Sequence, residues 1–166
     1  MAGRKRMTEH VIEISRSTEP LAGEPDEMSM TSWLKTVLKR LDCGPVELSI
    51  RLVSEEEMVS LNQQYRGKAA VTNVLSFPSG LEAEGHLFLG DIVICSAVVL
   101  KEAEEFDKPF AERYAHMIVH GLLHLLGHDH IEPAAREAME TLEQTMLAAL
   151  GMDDPYEVTV ASTETV

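Results

Sequence analysis

His120, His124 and His130 stand at the spacing His-x3-His-x5-His inside the run His120-Gly121-Leu122-Leu123-His124-Leu125-Leu126-Gly127-His128-Asp129-His130. On a helix, residues four apart share a face with their Cβ atoms about 5–6 Å apart, so the first pair of imidazoles projects side by side. Gly127 can end that helix and turn the chain back, which brings His130 toward the same point. Three neutral imidazoles on a rigid turn make a catalytic-type zinc site, one ion per chain, with a fourth position open. A lone histidine is most simply a hydrogen-bonded core side chain. A pair inside an apolar stripe is costly to bury without partners, and a metal satisfies both at once. Such a site also accepts other divalent metals.

The same spacing marks the metzincin peptidases, in which the residue after the first histidine is the glutamate that serves as general base. Here that residue is Gly121, and a peptidase without the carboxylate lacks its proton acceptor. The second group of interest is Asn62-Gln63-Gln64-Tyr65-Arg66-Gly67-Lys68, followed by Thr72-Asn73-Val74-Leu75-Ser76-Phe77-Pro78. Arg66 closes a helix just before a glycine, where a guanidinium can reach into a cleft and hold a phosphate through paired hydrogen bonds. From the residues alone, a solvated arginine balancing the helix dipole is the plainer reading. His116 lies one turn before His120 on the same stripe and is a candidate catalytic group, orienting a ligand imidazole or a bound water. A core histidine is its alternative. Asp129, Asp91, Ser76 and Thr72 are weaker candidates, each equally well explained as a turn or strand-edge residue.

These side chains need a scaffold, and the hydrophobic pattern supplies one. Val11 to Ile14 reads as a first strand, Ser15 to Glu27 as a polar loop, and Trp33, Leu34, Val37, Leu38 and Leu41 as an amphipathic helix stopped by Gly44-Pro45. Val46, Leu48, Ile50 and Leu52 alternate with polar residues as a strand with one buried face. Ser54 and Glu57 form a capping box for a helix through Tyr65. Val71 to Phe77 and Leu87 to Ile94 are β-rich runs separated by Pro78-Ser79-Gly80 and an acidic loop, and Ser96 opens a helix through Ala103. Pro109 suits the first position of a helix to Leu126 that is apolar around most of its circumference and so belongs in the core. Pro133 starts the last helix and Gly151 ends it. The expectation is an α+β fold: a small mixed sheet of about four strands covered by about five helices, with the histidine helix buried at its centre.

At 166 residues and 45% hydrophobic, the chain is long enough for a single domain with a real core. That domain is expected to span 1–166, with its core at about 8–152 and an acidic tail at 153–166. The formal charge is −14, divided as −2 over residues 1–27, −5 over 28–131 and −7 over 132–166. So acidic a chain cannot coat duplex DNA by charge, although a local anion site is compatible with it. The two cysteines, Cys43 and Cys95, form no disulfide or zinc pattern, and the N-terminal segment has no apolar stretch of the secretory kind. The longest apolar-rich run, Tyr114 to Gly127, is too short for a bilayer. A cytoplasmic protein without a membrane partner is the expectation.

Taken together, the histidine run, Tyr65-Arg66-Gly67-Lys68, Thr72-Asn73-Val74-Leu75-Ser76-Phe77-Pro78 and Leu89-Gly90-Asp91-Ile92-Val93-Ile94-Cys95 resemble the YbeY family of bacterial rRNA maturation factors. The resemblance runs from about Trp33 to Tyr156. It implies a metal-dependent endoribonuclease specific for single-stranded RNA, acting in 16S rRNA 3′-end maturation and ribosome quality control. Its partners would be ribosomal RNA, the small ribosomal subunit and assembly factors. By this likeness His120, His124 and His130 are the zinc ligands, and Arg66 matches a functionally important arginine. The chain departs from the pattern at Val71, where the family usually has proline. A non-catalytic assembly factor with a structural metal is the alternative.

Overall fold

The computed structural model describes residues 9–83, 86–128 and 131–157. Along the chain, β1 (Val11–Arg16), α1 (Glu27–Arg40), β2 (Val46–Val53), α2 (Glu55–Arg66), β3 (Val74–Ala83), β4 (His86–Cys95), α3 (Ser96–Glu105), α4 (Phe110–Leu125) and α5 (Pro133–Ala149) follow one another. The strands form one mixed sheet in the order β1-β2-β4-β3, in which β1/β2 and β2/β4 are parallel and β3/β4 is antiparallel. This is the α+β arrangement that the pattern of the sequence implies.

Period-two alternation sorts the strand residues between the faces. Leu48, Ile50 and Leu52 of β2 and Ile92 and Ile94 of β4 meet Met30, Leu34 and Leu38 of α1 and Ile118 and Leu122 of α4 in the main core. Val53, Leu75, Val93 and Cys95 turn to the other face, where Met58 of α2 covers them in a smaller core. Each fully buried aliphatic side chain of this kind contributes about 1.5–3 kcal/mol. Most of α4 is buried, including Tyr114, Ile118, Val119, Leu122 and Leu123, because it is covered by α1, α3 and α5 and rests on β3 and β4. Among the described residues, no helix is long and apolar enough to cross a membrane.

Several boundaries depart from the sequence expectation for identifiable reasons. α1 begins at Glu27, well before Trp33, because the Asp26 side chain caps it by accepting from Ser29 N at 2.8 Å and Met30 is buried beneath it. Pro109 is the cap residue of α4 and Phe110 its first helical residue. β3 continues through Pro78-Ser79-Gly80 instead of ending at Phe77. As an edge strand it tolerates a proline, and a register shift between Pro78 and Leu81 absorbs the irregularity. At the bulge stands Gly90, with φ 131°. A Cβ there would lie 2.1 Å from the Phe77 carbonyl oxygen, so this close approach requires glycine.

Residues 153–157, expected as part of an acidic tail outside the core, are tied to the domain. Lys108 Nζ donates to the carbonyls of Asp154 (3.3 Å) and Glu157 (3.0 Å), and Gln144 Nε2 donates to the Asp154 carboxylate at 3.1 Å. The remainder of that tail, 158–166, lies outside the described residues.

Candidate active site

Arg66 reaches the site through the way α2 ends. Gly67 takes the left-handed conformation with φ 71°, and its N–H bonds back to the last helical turn. Asn62, buried on α2, donates to the Ala70 carbonyl at 2.8 Å and so pins the loop that leads into β3. The result is a cleft of about 360 Å³ along the edge strand, with Arg66, Thr72, Asn73, Val74, Leu75, Ser76 and Pro78 on one side and His120 and His124 of α4 on the other. Arg66 is exposed, and no hydrogen bond or ion pair commits its guanidinium to another described residue.

His120 and His124 sit as the four-residue spacing requires, on one face of α4 at the cleft. Their Nε2 atoms are 3.1 Å apart. Two nitrogens bound to one zinc ion at about 2.0–2.1 Å in tetrahedral geometry are separated by roughly 3.3 Å, so the pair fits as one edge of such a site. His130 and Asp129 lie outside the described residues. Among the described residues no group of three or more metal-ligating side chains assembles, and the fit rests on His120 and His124. Gly127, with φ 96°, ends the helix as expected and turns the chain there.

Gly121 is glycine for a packing reason. A Cβ at that position would lie 3.0 Å from Ile92 Cγ2 and 3.3 Å from Ser76 Oγ, because α4 presses directly on the sheet. A glutamate of the metzincin kind has no room at this position unless Ile92 of β4 or Ser76 of β3 gives way. Ser76 Oγ spans the same contact, donating to the Gly121 carbonyl at 3.1 Å. The described residues of the cleft include no carboxylate.

His116 does not line this cleft. It is 4% exposed and lies behind His120, in a chain of polar contacts that sequence reading did not find. Glu143 of α5 is the centre of that chain. Its Oε2 accepts from His120 Nδ1 at 3.0 Å, and its Oε1 accepts from Tyr156 OH at 2.6 Å and from His116 Nε2. His116 Nδ1 in turn accepts from Arg113 Nη1 at 3.2 Å. Arg113 also pairs with Glu102 at 2.9 Å, and Glu102 accepts from Asn73 Nδ2 at 3.0 Å, which returns the network to the cleft wall.

Burial opposes ionisation of Glu143, but the hydrogen bonds from His116, His120 and Tyr156 outweigh it and hold the carboxyl below the usual range. Burial lowers the His116 pKa, with the Glu143 contact as the opposing influence. One sign of Glu143 was present in the sequence: it occupies the apolar stripe of α5 between Met139 and Met146, both buried. Tyr156, Arg113 and Glu102 carried no such sign. Asp91, a candidate cleft carboxylate, instead bonds Ser49 on the exposed part of the sheet, away from the histidines. Thr72 and Ser76 do face the cleft.

Comparisons with known proteins place the chain in a family. Residues 12–151 match the family model described as Endoribonuclease YbeY. A curated protein of that name from Halorhodospira halophila (strain DSM 244 / SL1) is 49% identical over 140 residues, which cover 82% of this chain and 90% of that protein. The solution structure of TM1509 from Thermotoga maritima is similar with a TM-score of 0.56 at 25% identity, covering 89% of this chain and 99% of that one. Most of the chain, including α2, β3 and the histidine helix that build the cleft, lies within the matched residues, and the protein belongs to the endoribonuclease YbeY family.

Proposed function

We propose that this protein is a zinc-dependent endoribonuclease that cuts single-stranded RNA in the cleft between β3 and α4. The observation that carries the reading is the pair of imidazole Nε2 atoms 3.1 Å apart, facing a cleft whose far wall holds an uncommitted guanidinium. His120 and His124 would hold the metal together with His130. A zinc ion bound there supplies positive charge for a phosphodiester and acidifies a water molecule. Arg66 then grips the phosphate oxygens and shares the negative charge that develops on them. Ser76, already bonded to the Gly121 carbonyl, keeps the strand and helix walls at a constant separation.

The resemblance carried by the motifs extends this reading to 3′-end maturation of 16S rRNA and ribosome quality control, in the cytoplasm, with the small ribosomal subunit and assembly factors as partners. The peptidase alternative is disfavoured by the packing at Gly121. His116 serves behind the cleft as a positioning group, not in contact with substrate.

The test is cleavage of a labelled single-stranded RNA by the parent and by His124→Ala, with metal content measured on the same samples. The parent should hold about one zinc per chain and cut; the variant should lose the metal and fall to the activity of chelator-stripped parent. Equal cleavage by both, or none by either despite bound zinc, would assign the metal a structural role in an assembly factor.

A further inference from the structure

Glu143 is an ionisable side chain only 1% exposed, on a helix whose neighbouring stripe positions are methionines. Burying a carboxylate is costly unless hydrogen bonds replace its water. Here they do, and their directions carry information. An ionised carboxylate only accepts, so the His120 nitrogen that faces it, Nδ1, bears a hydrogen. A neutral imidazole has one N–H, which leaves Nε2 of His120 with a lone pair pointing toward His124 and the cleft. His116 is set by the same logic: Nε2–H donates to Glu143, and Nδ1 accepts from Arg113. The third donor, Tyr156, comes from beyond the end of α5, on the segment that Lys108 and Gln144 tie down.

We propose that Glu143 is a positioning residue that sets His120 in the tautomer able to bind metal, and that Tyr156 keeps Glu143 aimed at it. This rests on the assignment of His120 and His124 as metal ligands. The segment at 153–157 is then a working part of the site, and the chain reaches back from its C-terminal side to orient a histidine on its central helix. An outer carboxylate of this kind strengthens the ligand and typically changes metal affinity by about 10–100-fold.

Glu143→Gln tests the proposal. A glutamine carbonyl cannot accept from His116 and His120 together as both carboxylate oxygens do, and its amide donates where His120 Nδ1–H now points. Zinc affinity, measured by competition with a chromogenic chelator, should fall about 10–100-fold. In the metal-free protein, long-range 15N NMR should show His120 moving from the Nδ1–H to the Nε2–H form. Glu143→Asp, which retains both acceptors, should recover part of the affinity. Tyr156→Phe loses one donor without burying an unmatched group, so it remains folded even where Glu143→Gln does not, and should weaken zinc severalfold.

A folded Glu143→Gln protein, or failing that a folded Tyr156→Phe protein, that binds zinc within about twofold of the parent would overturn the positioning role. His124→Ala is carried in parallel. Loss of zinc there with unchanged affinity in the Glu143 variant defeats only this inference, whereas stoichiometric zinc in His124→Ala defeats the metal-site assignment and this inference with it.

Discussion

Arg66 shows at the scale of one residue how position decides role. A guanidinium at the end of a helix is ordinarily a solvated partner of the dipole. Here the left-handed Gly67 and the Asn62 bond to Ala70 turn the chain so that Arg66 faces the histidines across the cleft. Arg66→Ala should therefore leave zinc content and thermal unfolding unchanged while lowering single-turnover RNA cleavage about 10²–10³-fold. Arg66→Lys should recover little of it, since an ammonium cannot make the paired bonds of a guanidinium. Cleavage unchanged in Arg66→Ala would remove the phosphate-gripping role. The two histidines were legible in the sequence because both belong to one helix, where spacing alone places them. Glu143 showed only its place in the apolar stripe of α5 and not its role, because the partner that explains it, His120, lies 23 residues away on another helix.

At the scale of elements, the cleft depends on an edge strand that bends. β3 leaves its simple register after Pro78, and Gly90 of β4 allows the Phe77 carbonyl to approach where any side chain would collide with it. Gly90→Ala should destabilise the protein by about 2–4 kcal/mol, because the obstruction is backbone and cannot rotate aside. A urea titration with lowered midpoint and unchanged slope would show this; a midpoint equal to that of the parent would mean that the strands separate without cost. Pro78-Ser79-Gly80 has the composition of a turn. Only the pairing with β4 makes it strand, and pairing is a relation between segments that a local pattern does not contain.

For the whole molecule, the charge of −14 and an RNA substrate look incompatible until their distances are compared. Charges beyond a Debye length of about 8 Å are largely screened at physiological salt, so the contacts made inside the cleft dominate binding. With Arg66 lining the cleft and Lys68 two positions further along the chain, about one or two phosphates are neutralised. Binding of single-stranded RNA should then weaken with salt along a log–log slope of roughly −0.7 to −1.4. A slope steeper than about −3 would reveal a basic track and a different mode of binding. With binding in the cleft as proposed, a chain of this charge should bind bulk duplex nucleic acid poorly.

The sequence by itself determined the fold class, the helix carrying the histidine pair and the absence of a metzincin base at Gly121, because helix and strand periodicities and residue identities are local properties. It also placed Arg66 at a helix end beside a glycine. The tertiary structure decided the rest: that Gly121 is held against Ile92 and Ser76, that β3 continues past Pro78, and that His116 lies behind the cleft. It alone joined Glu143 and Tyr156 to His120. Those contacts join segments far apart in the chain, and their chemistry depends on the direction of each hydrogen bond, which exists only once the helices have packed.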